Sequence, residues 1–122
     1  MIRGQAMKRW NSMQTGVAQG DVQLFADYID DGPMWVGHGD REFRLEIKFG
    51  GRFRSEPLVH VSASMLDVDH TANTRYEIVA ENVTPKGFEI VFRTWGDSRF
   101  ARVRAAWLAI GDMRNADDWD ID

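Results

Sequence analysis

The chain has 122 residues, 43% of them apolar and 28% charged, and a formal net charge of −4. That is the balance of one globular domain with a modest core, and it excludes a disordered or membrane-embedded chain. There is no cysteine, which removes a disulfide framework, a thiolate metal site and a cysteine nucleophile together.

The N-terminal stretch "MIRGQAMKRWNSMQTGVAQG" has no apolar core of secretory length, and no spanning segment follows anywhere. Met7, Trp10 and Met13 stand three apart, as in a short helix, but residues 1–12 read as a frayed leader. From Phe43 the period is two. In "FRLEIKF", Phe43, Leu45, Ile47 and Phe49 alternate with Arg44, Glu46 and Lys48, which predicts a strand with one face in water. "LVHVSASML" puts Val59, Val61, Ala63 and Met65 on one side and Leu58, His60, Ser62 and Ser64 on the other. "YEIVAENV" runs into "TPKG", where Pro85 suits the second position of a type I turn and Gly87 the fourth. "FEIVFRTW" follows with Phe88, Ile90 and Phe92 on one face, so these two runs predict a hairpin.

After Trp95, Gly96 and Asp97 have the chemistry of a two-residue hairpin turn, from which "SRFARVRAAWLAI" returns. The end of that run is apolar on both faces, with Val103, Ala105 and Trp107 on one and Ala106, Leu108 and Ile110 on the other. Such a strand is central in a sheet or lies against another subunit. The tail, 112–122, carries five aspartates against one arginine, with Trp119 its one possible anchor. Several short strands without a long helix predict an all-β sandwich over 13–111, with no linker dividing it.

Chemistry-bearing clusters are few. His38 and Asp40, and Asp67, Asp69 and His70, put carboxylates near imidazoles. Neither stretch has HExxH or calcium-loop spacing, and Asp is common in turns because it caps local backbone donors. No metal or other cofactor is expected. No GxSxG occurs, and 19 acidic residues will always supply some pair of carboxylates, so neither a hydrolase serine nor a glycosidase pair stands out. The basic residues are scattered in ones and twos, so nucleic acid is not an expected partner, and membrane insertion is not expected either.

The stretch from Pro57 to Gly111 says more. "LDVDHTANTRYEIVAENVTPKGFEIVFRTWGDSRFARVRAAWLAIG" resembles the H-type lectin family, the snail agglutinins and the discoidin C-terminal domains. The resemblance rests on a Leu-Asp-Val-acid stretch, Asn-x-Arg, "VTPKGF", "TW" at a turn and a closing "WLAIG", in matching order and spacing. Upstream, "MQTGVA" resembles the family's opening strand, and Phe49, Phe53 and Pro57 its second block, so the resemblance covers roughly 13–111.

It implies a six-stranded antiparallel β-sandwich assembled as a trimer, or as two stacked trimers. It also implies binding of galactose or N-acetylgalactosamine, without catalysis, in clefts between protomers. The residues it implies for that site are Arg75 of Asn-x-Arg, Trp95 of the TW turn and Asp40 from the loop before the first long strand. An ungapped alignment back from Phe49 puts His38 at the aspartate position; a short loop deletion, easier to accept than loss of the carboxylate, puts Asp40 there. Where some relatives have a histidine after the tryptophan, this chain has Gly96, with Asp97 or Arg99 as substitutes.

The residue types suit such a ligand independently. An indole can cover the apolar C–H face of a galactose-type ring, while a guanidinium fork and a carboxylate match its adjacent hydroxyls. Trp95 has the parity of Glu89, Val91 and Arg93, opposite the Phe88, Ile90 and Phe92 face, which favours an open platform over a corner plug. A rival reading is a trimeric assembly domain, for example of a phage-like particle, that has lost sugar binding; Gly96 is the feature in its favour. Without an evident signal peptide, either a cytosolic lectin or a module released by lysis fits.

Overall fold

Residues 7–10 and 14–113 are described by the structure, a computed structural model. Six strands follow one another: β1 (Thr15–Phe25), β2 (Arg41–Lys48), β3 (Leu58–Val68), β4 (Tyr76–Thr84), β5 (Gly87–Thr94) and β6 (Phe100–Asp112). One short helix, α1 (Pro33–Val36), lies between β1 and β2, with its proline in the first turn, where a missing N–H does no harm. The strands form two antiparallel sheets of three, ordered β1-β6-β3 and β2-β5-β4. This is the expected six-stranded β-sandwich.

The two sheets face each other across the residues that alternation singles out. Phe88, Ile90 and Phe92 of β5 are buried, with Phe43, Leu45 and Ile47 of β2 packed beside them. Val103, Ala105 and Trp107 of β6 meet them from the other sheet. Edge-on aromatic pairs lock the layers, among them Phe25–Phe92 at 5.4 Å, Phe92–Phe100 at 5.0 Å and Phe88–Trp107 at 5.4 Å between ring centroids.

The β4–β5 hairpin forms as the turn chemistry requires. The Thr84 hydroxyl accepts from Lys86 N and Gly87 N at 3.2 Å each, closing "TPKG". The doubly apolar strand, β6, is the centre of its sheet, between β1 and β3.

Two expectations are corrected. β5 and β6 do not pair as a hairpin; the chain crosses at Gly96–Asp97 from one sheet to the other. Glycine-aspartate satisfies the local turn geometry in either case, but strands this apolar are better buried as opposed layers than side by side. Met65 also leaves the side of Val59, Val61 and Ala63. A bulge at Ser64 shifts the register, so Met65 pairs with outward Arg104 while Leu66 and Val68 join the core. β1 shifts register at the same level, between Gln23 and Phe25, which puts both Leu24 and Phe25 in the core. Residues 7–10 have no regular secondary structure. The rest of the leader and the tail from 114, with Trp119, lie outside the described residues.

Candidate functional site

β2 and β4 run antiparallel to β5, so the starts of β2 and β4 lie at the same end of the sheet as the finish of β5. Asp40 immediately precedes β2, Arg75 immediately precedes β4, and Trp95 immediately follows β5. The fold therefore gathers all three candidates at one end of one sheet. His38, Asp40, Arg75, Trp95, Gly96 and Asp97 are all exposed, Trp95 with 39% of its surface open. A tryptophan plugging the corner would be covered; this one is not.

Arg75 is held with care. Its N–H donates to the buried Ser98 hydroxyl at 2.8 Å, and its C=O accepts from the buried Thr94 hydroxyl at 2.5 Å. Its guanidinium donates to Asp97 at 3.1 Å, and Asp97 also accepts from Asn73, through the backbone at 3.3 Å and the amide at 3.2 Å. The Asn-x-Arg motif thus works through Asp97, which ties both of its ends to the TW turn. Those Asn73 bonds, with the Arg75 charge behind them, hold the Asp97 carboxyl below the usual carboxylate range. Gly96 has φ +69°, and a Cβ there would stand 3.2 Å from Arg75 Nη1. Glycine serves the turn twice, in conformation and in leaving the arginine room.

Arg41 joins the Asp40 loop to the Trp95 turn. It donates from Nε to Gly39 O at 3.0 Å, from Nη2 to Gly96 O at 3.2 Å and from Nη1 to Pro33 O at 3.3 Å. Gly39 N adds a bond to Gly96 O at 2.9 Å. Partial burial lowers the Arg41 pKa from its ordinary value, although it stays a cation. Arg99 makes a second clamp, donating to Trp35 O at 2.7 Å and Asp69 at 2.8 Å with its charge 4.5 Å from the Trp35 ring centre.

Sequence reasoning missed Arg41, Thr94 and Ser98. Only Thr94 gave a signal: it has the parity of Phe88, Ile90 and Phe92, and a hydroxyl on a core face needs a partner.

A hollow of about 380 Å³ opens beside Trp95, lined by Asp40, Arg41, Glu42, Glu77, Arg93, Thr94 and Trp95. It brings Asp40 and Trp95 together; Arg75, Asp97 and His38 are not in its lining. A larger hollow of about 850 Å³ lies at the opposite end of the same sheet, around Lys48, Asn82 and Lys86, and holds none of the candidate residues. The smaller one is the better candidate, because an exposed indole and a carboxylate converge there. The other imidazole–carboxylate stretch is taken up locally: Asp67 pairs with Arg102 at 3.0 Å, and Asp69 accepts from Thr71 and Arg99. No group of three or more His, Asp or Glu side chains that could hold a metal occurs among the described residues.

The sequence signature of the H-type lectin domain matches residues 44–110. The chain belongs to that family. This H-type lectin domain is 55% identical over 107 residues to "ATP synthase subunits region ORF 7" of Fuscovulum blasticum, a match spanning 88% of this chain and 93% of the relative. It is 37% identical over 91 residues to Discoidin-2 of Dictyostelium discoideum, spanning 73% of this chain and 35% of that one. The solved fold of discoidin II from the same organism superposes with a TM-score of 0.68 at 24% identity, over 89% of this chain and 41% of the other. The lectin domain thus spans less than half the length of the discoidins it matches. Membership of the family supports carbohydrate binding at a general level.

Proposed function

We propose that this H-type lectin domain binds galactose- or N-acetylgalactosamine-type sugars, without turning them over, in clefts between the protomers of a trimer. The observation that carries the proposal is the gathering of Asp40, Arg75 and an open Trp95 at one end of one sheet. Trp95 covers the apolar face of the ring, and Asp40 accepts from its hydroxyls. Arg75 donates through the N–H groups that Asp97 does not engage. A single such site is weak, and several on one rigid oligomer act together through avidity.

The Arg75–Asp97 pair also supports the assembly-domain reading, since a guanidinium already matched to a carboxylate has less need of a ligand. Retention on galactose resin separates the two. The lectin is retained and eluted by free sugar, whereas Trp95→Ala and Arg75→Lys flow through with melting temperatures near that of the parent. An intact oligomer that never binds any sugar on a glycan array leaves only the assembly role. If Trp95→Ala folds and still binds, the site is elsewhere.

A further inference from the structure

The outer face of β2-β5-β4 holds its cations in two different states. Along its middle the outward residues form rows across the strands: Glu42–Arg93–Glu77, Arg44–Val91–Val79 and Glu46–Glu89–Glu81. Arg44 donates to Glu42, Glu81 and Glu89 at 2.9, 3.0 and 3.4 Å. Arg93 donates to Glu42, Glu81 and Glu77 at 2.8, 2.8 and 3.4 Å. Beneath this lattice Val91 is 0% exposed, although it points away from the core. The lysines at the end away from Trp95 are not matched in this way. Lys48 closes β2 and Lys86 sits in the β4–β5 turn, both exposed, and neither side chain has a partner among the described residues.

Both lysines border the hollow of about 850 Å³, with Arg52 as a third cation. Its carboxylates are Glu46 and Glu89, and Glu89 already accepts from Arg44 and Asn82, so positive charge is in excess there. The loop after β2 is fastened to the β4–β5 turn at two points: Phe49 N–H donates to Lys86 O and Phe53 N–H to Pro85 O, each at 3.0 Å. Between those points Gly50 turns the chain at φ +80°, and the N–H groups of Gly50 and Gly51 have no partner among the described residues. Gly51 has no positive φ, and a Cβ there would meet nothing within 4 Å. Neither conformation nor crowding therefore asks for glycine at 51, whereas a ligand lying close against the backbone does.

We propose that this hollow is a second ligand site, for an acidic sugar unit whose carboxylate is held by Lys48, Lys86 and the Gly50 and Gly51 amides. Successive unpaired amides in a turn form a seat for an anion, and two ammonium groups on the same hollow complete it. Glu46, which has no partner among the described residues, accepts from the ring hydroxyls. The volume suits a ligand of one or two sugar rings. No tryptophan or tyrosine lines this hollow, so charge and hydrogen bonds replace the stacking available at Trp95. The site lies at the other end of the sheet and does not rest on the galactose reading.

Glucuronate is the probe, followed through the amide and indole N–H signals of the whole protein by NMR. Glucuronate should move the Gly50 and Gly51 amides and leave the Trp95 indole still. Lys48→Glu/Lys86→Glu should weaken that binding about tenfold or more, because two charge-assisted contacts become repulsive. Gly51→Asp, with open space for its side chain, should also lose glucuronate while melting near the parent. Trp95→Ala should bind glucuronate as the parent does. Still amides at 50 and 51, or a charge-reversed variant that binds equally well, overturn the proposal. So does inorganic sulfate moving those amides as strongly as glucuronate, which would mean an anion seat without sugar recognition. The methyl ester of glucuronate binding equally well would show that the lysines are not used and would equally end it. A parent that ignores galactose but takes glucuronate here would sink the Trp95 reading and support this one.

Discussion

The outer face of β1-β6-β3 and the outer face of β2-β5-β4 invert the usual relation between polarity and burial. On the first, Val17, Ile110 and Leu58 form a row across all three strands, with Leu108 beside it, yet Val17 is 63% and Leu58 46% exposed. Its ion pairs, Arg102–Asp67 and Arg104–Asp21, stand apart as separate contacts at 3.0 and 2.9 Å. On the second, two arginines and four glutamates form one connected lattice, and the valine under it sees no solvent. Long charged side chains carry apolar stems, and when their heads are fixed by neighbours those stems cover what lies beneath. Isolated surface pairs contribute little, but a network that excludes water from a valine also contributes through packing.

The largest effect tests what the two sheets share. Trp107 reaches from β6 to Phe88 and Phe49 across the interlayer space, so Trp107→Ala should cost about 3 kcal/mol in a denaturant titration. A loss below about 1 kcal/mol would mean the layers do not depend on that ring.

The next tests the two faces against each other by the same kind of truncation. Val91→Ala, under the lattice, should cost about 2 kcal/mol, whereas Leu108→Ala, on the apolar face, should stay within about 0.5 kcal/mol. Equal losses would dissolve the distinction.

The smallest is a pH effect specific to the lattice. Bonds from Arg44 and Arg93 lower the Glu42 carboxyl, and bonds from Arg93 and then Arg44 lower that of Glu81. Groups whose folded pKa is depressed contribute stability above their unfolded pKa of about 4.3, and that contribution is lost as pH falls through the folded value. The melting temperature should therefore drop on acidification below about pH 4, and Arg44→Met should flatten that drop more than Arg102→Met does. An unchanged profile would show that the lattice adds packing but no pH-linked stability.

Much of this was legible in the sequence because alternation and turn chemistry are local. The inward triplet of β2, the "TPKG" hairpin, the central place of β6 in its sheet and the exposure of Trp95 all follow from parity and spacing. What was not legible depends on partners distant in the chain. Gly96–Asp97 reads as a hairpin turn because nothing local says that the following strand belongs to the other sheet. Met65 changes sides because β3 bulges opposite β6, far along the chain, as the pairing with Arg104 makes plain. Arg41 looks like one more solvent-facing arginine until α1, the loop after it and the β5–β6 crossing are seen to share its guanidinium. Of the candidate site, Arg75 and Trp95 were readable as residue types in a motif, and Asp40 lines the hollow beside Trp95 where His38 does not.

The strand order has a consequence for how such a chain comes to be folded. β6 is the last strand described, yet it is the middle of its sheet, and both β1 and β3 pair only with it. During synthesis those two strands leave the ribosome long before the partner that satisfies their backbone. Only the β4–β5 hairpin can close from neighbouring sequence; β1 must wait for contacts such as Thr15 with Asp112. A topology with such distant pairings folds slowly and keeps unpaired edges open in the meantime. The window in which this protein is open to aggregation is therefore set by the arrival of one strand.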